Sequence, residues 1–146
     1  MTATFYTPLL TRLLALGCKR ASVWRGQTQD LQDFPAAYVE AESQQARSYG
    51  NRTTHELRVT VRLHFQHLGN EDAMQTPYGT TPDTLHTDRL DVLTFVEQVR
   101  NGLQGWAHAP GQLLNCTGQD HYDEPGQYLV YTLTFETLLV TCPPTA

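Results

Sequence analysis

The sequence predicts an α+β domain of two layers. A mostly antiparallel or mixed sheet of about five strands carries two amphipathic helices on one face. Three observations predict it. Glu56 to Gln66 reads E-L-R-V-T-V-R-L-H-F-Q, with Leu57, Val59, Val61, Leu63 and Phe65 on one side and Glu56, Arg58, Thr60, Arg62, His64 and Gln66 on the other. Side chains in a strand alternate with a period of two, so this is a half-buried strand. It spans about 36 Å, far beyond the usual five to six residues. Tyr128 to Val140 repeats the pattern, with Leu129, Tyr131, Leu133, Phe135 and Leu139 opposed to Thr132, Thr134 and Glu136; Thr137 and Leu138 interrupt it. Two leucine-rich stretches show spacings of three and four, the signature of helices with one apolar stripe. Long strands with one polar face favour antiparallel pairing, and the helices would cover the apolar face.

The segment Thr4 to Lys19 holds the first helix and carries Phe5, Leu9, Leu10, Leu13, Leu14 and Leu16, most of them on one stripe. Pro8 falls in its first turn, Gly17 marks its end, and Lys19 and Arg20 suit the negative end of its dipole. Ala21 to Trp24 is a short strand, followed by a polar turn or loop over Gly26 to Gln32. Pro35 introduces a second strand over Ala36 to Ala41, since proline is accepted at a strand start. Glu42 to Arg52 is polar and reads as a loop or a protruding hairpin arm, and the long strand follows from about Thr53. His67 to Thr87 carries Gly69, Asn70, Pro77, Gly79 and Pro82 and few apolar residues, so a long flexible loop is expected there. Asp88 to Leu103 is the second helix, capped by Thr87 or Asp88, with Leu90, Leu93, Val96 and Leu103 recurring and Val92, Phe95 and Val99 widening the stripe. Gln112 to Thr117 is a modest strand, Asp120 to Gln127 a turn, and Tyr128 to Val140 the closing strand. The expected order is helix, three strands, helix, two strands, in one domain over residues 1–146.

Composition narrows the function. The 146 residues suffice for one core without disulfides. A hydrophobic fraction of 40% and a charged fraction of 17% are those of a globular protein with a weakly charged surface. A net charge of −5 offers no footprint for nucleic-acid phosphates. Cys18, Cys116 and Cys142 are odd in number and far apart, so they signal neither a disulfide framework nor a zinc site. No run approaches the roughly 18 apolar residues of a membrane span, and no signal peptide is expected. The Asn51-Arg52-Thr53 and Asn115-Cys116-Thr117 sequons are read as chance matches.

Chemistry-bearing residues are scattered. His64 and His67 are spaced H-x-x-H, with His55 and His86 nearby, but positions 64 and 67 of a strand face opposite ways, so solvated polar-face histidines are expected and no metal. Asp120, His121, Asp123 and Glu124 read as a solvated connection. There is no nucleophile elbow and no phosphate-binding glycine loop, so no catalytic residue and no cofactor are assigned. A small enzyme would require Asp120, His121 and His64 to converge in an apolar pocket. A binding module pairing a partner strand would require an open, uncharged sheet edge. Candidate protein-interface residues are Arg47, Tyr49 and Arg52 of the arm, Arg58 and Arg62 on the long strand, and Tyr78 in the loop, because charged pairs and aromatics serve subunit docking.

Several stretches together carry a resemblance. They are the leucine-rich first helix, Val23-Trp24-Arg25-Gly26, and Phe34-Pro35-Ala36-Ala37-Tyr38-Val39-Glu40. After the arm come Leu57-Arg58-Val59-Thr60-Val61-Arg62-Leu63, Leu90-Asp91-Val92-Leu93 and Tyr131-Thr132-Leu133-Thr134-Phe135-Glu136. In this order they resemble the small tail-completion proteins of tailed bacteriophages, the tail-terminator class. The resemblance implies a non-enzymatic virion protein, assembled in the host cytoplasm. It would form a ring, usually a hexamer, at the head-proximal end of the tail. Its partners would be other copies of itself, the tail-tube protein and the head connector, with DNA passing through unbound and no membrane involved. A head–tail adaptor of the neck is the neighbouring reading. The loop from His67 to Thr87 departs from the generic pattern. A closed ring needs two different patches on each protomer, which the arm and this loop could supply.

Overall fold

The structure, a computed structural model, describes residues 3–25, 35–66, 84–124 and 128–141. Its elements are α1 (Ala3–Ala15), β1 (Arg20–Val23), β2 (Ala36–Tyr49), β3 (Arg52–Gln66), α2 (Thr84–Leu103), β4 (Ala107–Ala109), β5 (Gln112–Leu113), β6 (Asn115–Glu124) and β7 (Tyr128–Thr141). Five strands form one sheet in the order β1-β2-β3-β7-β6. β1 and β2 run parallel and the other neighbours antiparallel, so the sheet is mixed and the fold α+β.

The alternation of β3 sets the layers. Leu57, Val59, Val61, Leu63 and Phe65 lie in the core with Ala37 and Val39 of β2 and Leu129, Tyr131, Leu133 and Phe135 of β7. Both helices supply the opposing layer, α1 through Phe5, Leu9 and Leu13 and α2 through Val92, Val96, Val99 and Leu103. These recur at three- and four-residue intervals, one stripe per helix. Leu14 and Leu93, placed on the stripes by spacing, are 49% and 42% exposed instead.

α1 ends in a Schellman motif: Gly17, at φ 113°, donates its N–H to Leu14 O, and Cys18 donates to Leu13 O. The helices are tied by Arg12, whose Nε and Nη2 donate to Gly102 O at 3.3 and 3.0 Å. A Cβ on Gly102 would lie 2.5 Å from the Leu16 Cδ2 methyl, so Leu16 occupies the space that glycine leaves between the helices.

Several boundaries differ from the expectation. β2 does not end near Ala41 but continues to Tyr49, and the arm is a true hairpin closed by Gly50 and Asn51, with Gly50 at φ 62°. α2 starts at Thr84, so the expected loop loses its last residues to the helix; residues 67–83 lie outside the described ones. The expected turn over Asp120 to Gln127 is largely strand, because β6 runs to Glu124 in register with β7. Backbone pairing along a long neighbouring strand outweighs the local turn preference of Asp and Gly. A β4–β5 hairpin was not expected, and four strands rather than two follow α2. The interruption at Thr137 and Leu138 is no slip in register, since β3 and β7 pair continuously from Thr53↔Thr141 to Gln66↔Tyr128. Thr137 is a buried polar residue on the core face, bonded to His108 Nε2 at 3.0 Å.

Candidate functional site

The outer face of the sheet, opposite the helices, divides in two. At its β1 end it is not the solvated face expected. His64 is fully buried, and so are Ala36, Tyr38 and Val130. The His64 ring lies 4.9 Å from Tyr38 and 5.8 Å from Trp24, centroid to centroid. Arg62 lays its guanidinium 4.6 Å above the Trp24 ring and pairs with Glu40 at 3.1 Å. Burial, reinforced by the Arg62 charge, lowers the His64 pKa to about 4, so the ring is neutral at pH 7. The physical reason for the correction is cross-strand neighbours: Tyr38 beside the strand and Trp24 above it form a small second core around the imidazole. Arg62 is thereby engaged within its own chain.

At the other end the sheet becomes an arm. Residues 42–52 are all exposed. Tyr49 stands opposite Arg52, and Arg47 opposite Thr54. Residues directly opposite share a face, and positions 47 and 49 alternate onto the same one. Arg47, Tyr49 and Arg52 therefore form one cluster at the tip, with Tyr49 66% exposed. Arg58, also exposed, sits in a cross-strand row between Glu42 and Glu136. Tyr78 lies outside the described residues.

Where the arm leaves the body there is a cleft of about 670 Å3, lined by Gln44, Glu56, Leu57, Gly111, Leu113, Glu136, Thr137 and Leu138. It spans three strands and the tip of the β4–β5 hairpin. β6 begins opposite Glu136, so β7 runs on beyond it with one edge open. Side chains close that edge. His108 Nε2 donates to Leu138 O at 3.0 Å, and Gln112 Oε1 accepts from Val140 N–H at 3.3 Å. Burial lowers the His108 pKa, and its bond to the Leu138 carbonyl partly offsets this. Blocking a strand edge in this way discourages unplanned β-pairing. Leu113 and Leu138 remain 52% and 45% exposed on the cleft.

The enzyme-like constellation does not assemble. His64 pairs across the sheet with Val130, and His121 with Tyr131, so they occupy opposite faces. His121 is exposed and stacks on Tyr131 at 5.2 Å, while Asp120 Oδ1 accepts the His121 N–H at 2.8 Å. Of the other histidines, His55 lies on the arm with Nδ1 3.5 Å from Ser43 Oγ, His86 belongs to α2, and His67 is outside the described residues. Among the described residues no group of three His, Cys, Asp or Glu side chains is placed to hold a metal. Burial raises the Cys18 thiol to about 12, so it is no nucleophile at neutral pH. The β6 edge carries exposed Asp120 and a bulge between Cys116 and Gly118, a poor template for a partner strand.

Sequence reasoning did not single out Glu56, Glu136, Leu113 and Leu138 as a group. The available signal was Leu138, an apolar residue out of phase in an otherwise regular strand. No protein-family model matches the chain, and no curated protein matches it.

Proposed function

We propose that this chain is a non-enzymatic structural subunit that closes into a ring, a hexamer by its resemblance to tail terminators, at the head-proximal end of a phage-type tail. In that place the ring ends tail-tube growth and offers its other surface to the head connector. The arm is the observation that carries this reading. A hairpin whose residues 42–52 are all exposed gains little from burial within its own chain. β7 flanks β3 only as far as Thr53, so the turn end of the arm projects past the third strand, and its aromatic and arginine residues suit contact with another protein. The net charge of −5 suits a ring through which DNA passes without being held.

The test is mass by light scattering across a concentration series, alone and with tail-tube protein, with negative-stain images of the same samples. Six-fold rings, or rings that form on tube ends and stop their growth, are the expected result. Binding to a head connector without effect on tubes makes the chain an adaptor of the neck. Monomers at every concentration with no effect on tube or connector contradict the proposal.

The cleft supports a second reading. Its 670 Å3 falls in the range of about 300–1,000 Å3 typical of small-ligand sites. A thermal-shift screen with small molecules tests it, and a saturable ligand in the cleft would favour a binding module.

A further inference from the structure

We infer that the cleft at the base of the arm receives the arm tip of a second copy of this chain. The inference rests on the ring reading and names the two surfaces that would meet. Five large hydrophobic residues are exposed among the described residues, and three of them fall on these two surfaces: Tyr49 on the tip, Leu113 and Leu138 on the cleft. The charges are opposite. The tip places Arg47 and Arg52 beside Tyr49, and the cleft places Glu56 and Glu136 on the side of Leu138; Arg58, opposite Glu136, is offset by Glu42 on its other side, so this row stays acidic. Glu56 stands opposite Leu138, and Glu136 lies two residues back along β7, so both carboxylates share the leucine's side of the sheet.

An aromatic flanked by two arginines, meeting two leucines flanked by two carboxylates, has the composition of an interface with an apolar centre and a charged rim. A chain cannot satisfy this pairing by itself. Arg52 and Glu56 are on the same extended strand, about 13 Å apart along its axis, and the tip cannot fold back onto its own base. The cleft also sits where β7 has no β6 beside it and where His108 and Gln112 have already closed the backbone edge. Docking there is therefore through side chains rather than strand addition. Tip into cleft joins two different patches, so the contact repeats around a ring if the rotation closes.

The chain has a single lysine, Lys19, which makes cross-linking discriminating. In Arg52→Lys the charge is kept and one amine is added at the tip. An equal mixture of this variant with and without nitrogen-15 labelling, treated with a carbodiimide, is expected to yield mixed-isotope cross-links between position 52 and Glu56 or Glu136. Rings whose cross-links join other surfaces overturn the docking and leave the ring reading standing. No inter-chain links, with no rings in the images, overturn both.

Charge reversal gives a second readout at exposed positions. Arg47→Glu with Arg52→Glu, or Glu56→Lys with Glu136→Lys, each weaken self-association by about tenfold or more, and mixing the two variants restores it. Association by either variant alone at wild-type strength overturns the inference.

Discussion

The two halves of the β2–β3 hairpin share one continuous ladder yet live in different environments. From Ala36 to Val39, and from Leu57 to Phe65 on the core face, the strands are buried, with α1 and α2 on one side and the Trp24, Tyr38 and His64 cluster on the other. From Glu42 to Arg52 they are exposed throughout. Register runs on through both halves, with one irregularity between Ser43 and Gln45. Backbone pairing alone can thus extend a sheet well past its core, but the buried half holds the fold and the exposed half is available for contacts outside the chain.

The largest effect expected from breaking this division is in the base. Phe135 is fully buried at the centre of the sheet, and Phe135→Ala is expected to cost about 3–5 kcal/mol by denaturant unfolding. Acid is next. His64 binds its proton at about 4 in the fold and near 6.5 unfolded, so the unfolded chain takes up more protons between these values. The contribution of neutral His64 is complete above pH 6.5 and is lost as pH falls towards 4, about 3 kcal/mol in all. His108, lowered in the same direction, adds to the loss. Unfolding free energies measured from pH 7 to 4 should show this slope, reduced in His64→Leu.

Gly102→Ala sharpens the comparison from the helix side. Its new Cβ meets the methyl end of the Leu16 side chain, which must shift, while alanine gains about 1 kcal/mol of helix propensity, so the unfolding free energy is expected to change by less than about 1 kcal/mol. The smallest effect belongs to the arm. Arg47→Ala and Arg52→Ala should change monomer stability by less than about 0.5 kcal/mol, because both side chains are exposed. If they destabilise as much as a core substitution, the arm is part of the fold rather than an appendage to it.

Legibility in the sequence followed the same division. The layers and the core faces of β3 and β7 were readable because burial on one side writes a period of two into the residues. Gly17 as the end of α1 was readable because a left-handed position selects glycine. The polar stretch from Glu42 to Arg52 left loop and hairpin open, since exposed strand residues carry no periodicity. β6 was hidden by Asp120, Gly118 and Asp123, turn-formers that form strand only because β7 lies beside them. His64 was misplaced because alternation gives the side of the sheet but not what packs there; Trp24 and Tyr38, both distant in sequence, decide that. Of the cleft only the out-of-phase Leu138 is legible, since the lining comes from β2, β3, β7 and the β4–β5 hairpin.

Under the proposed function, the arm is an assembly surface carried by a self-sufficient base. Hydrogen exchange at the amides of residues 42–52, followed from dilute to concentrated protein and onto tail tubes, is the decisive measurement. Slow, unchanging exchange is expected in the ladder from Leu57 to Phe65, with arm amides fast in the dilute protein and protected as copies associate. Arm amides as slow as those of the base at every dilution, or fast and unchanged in the concentrated and tube-bound samples, would contradict it.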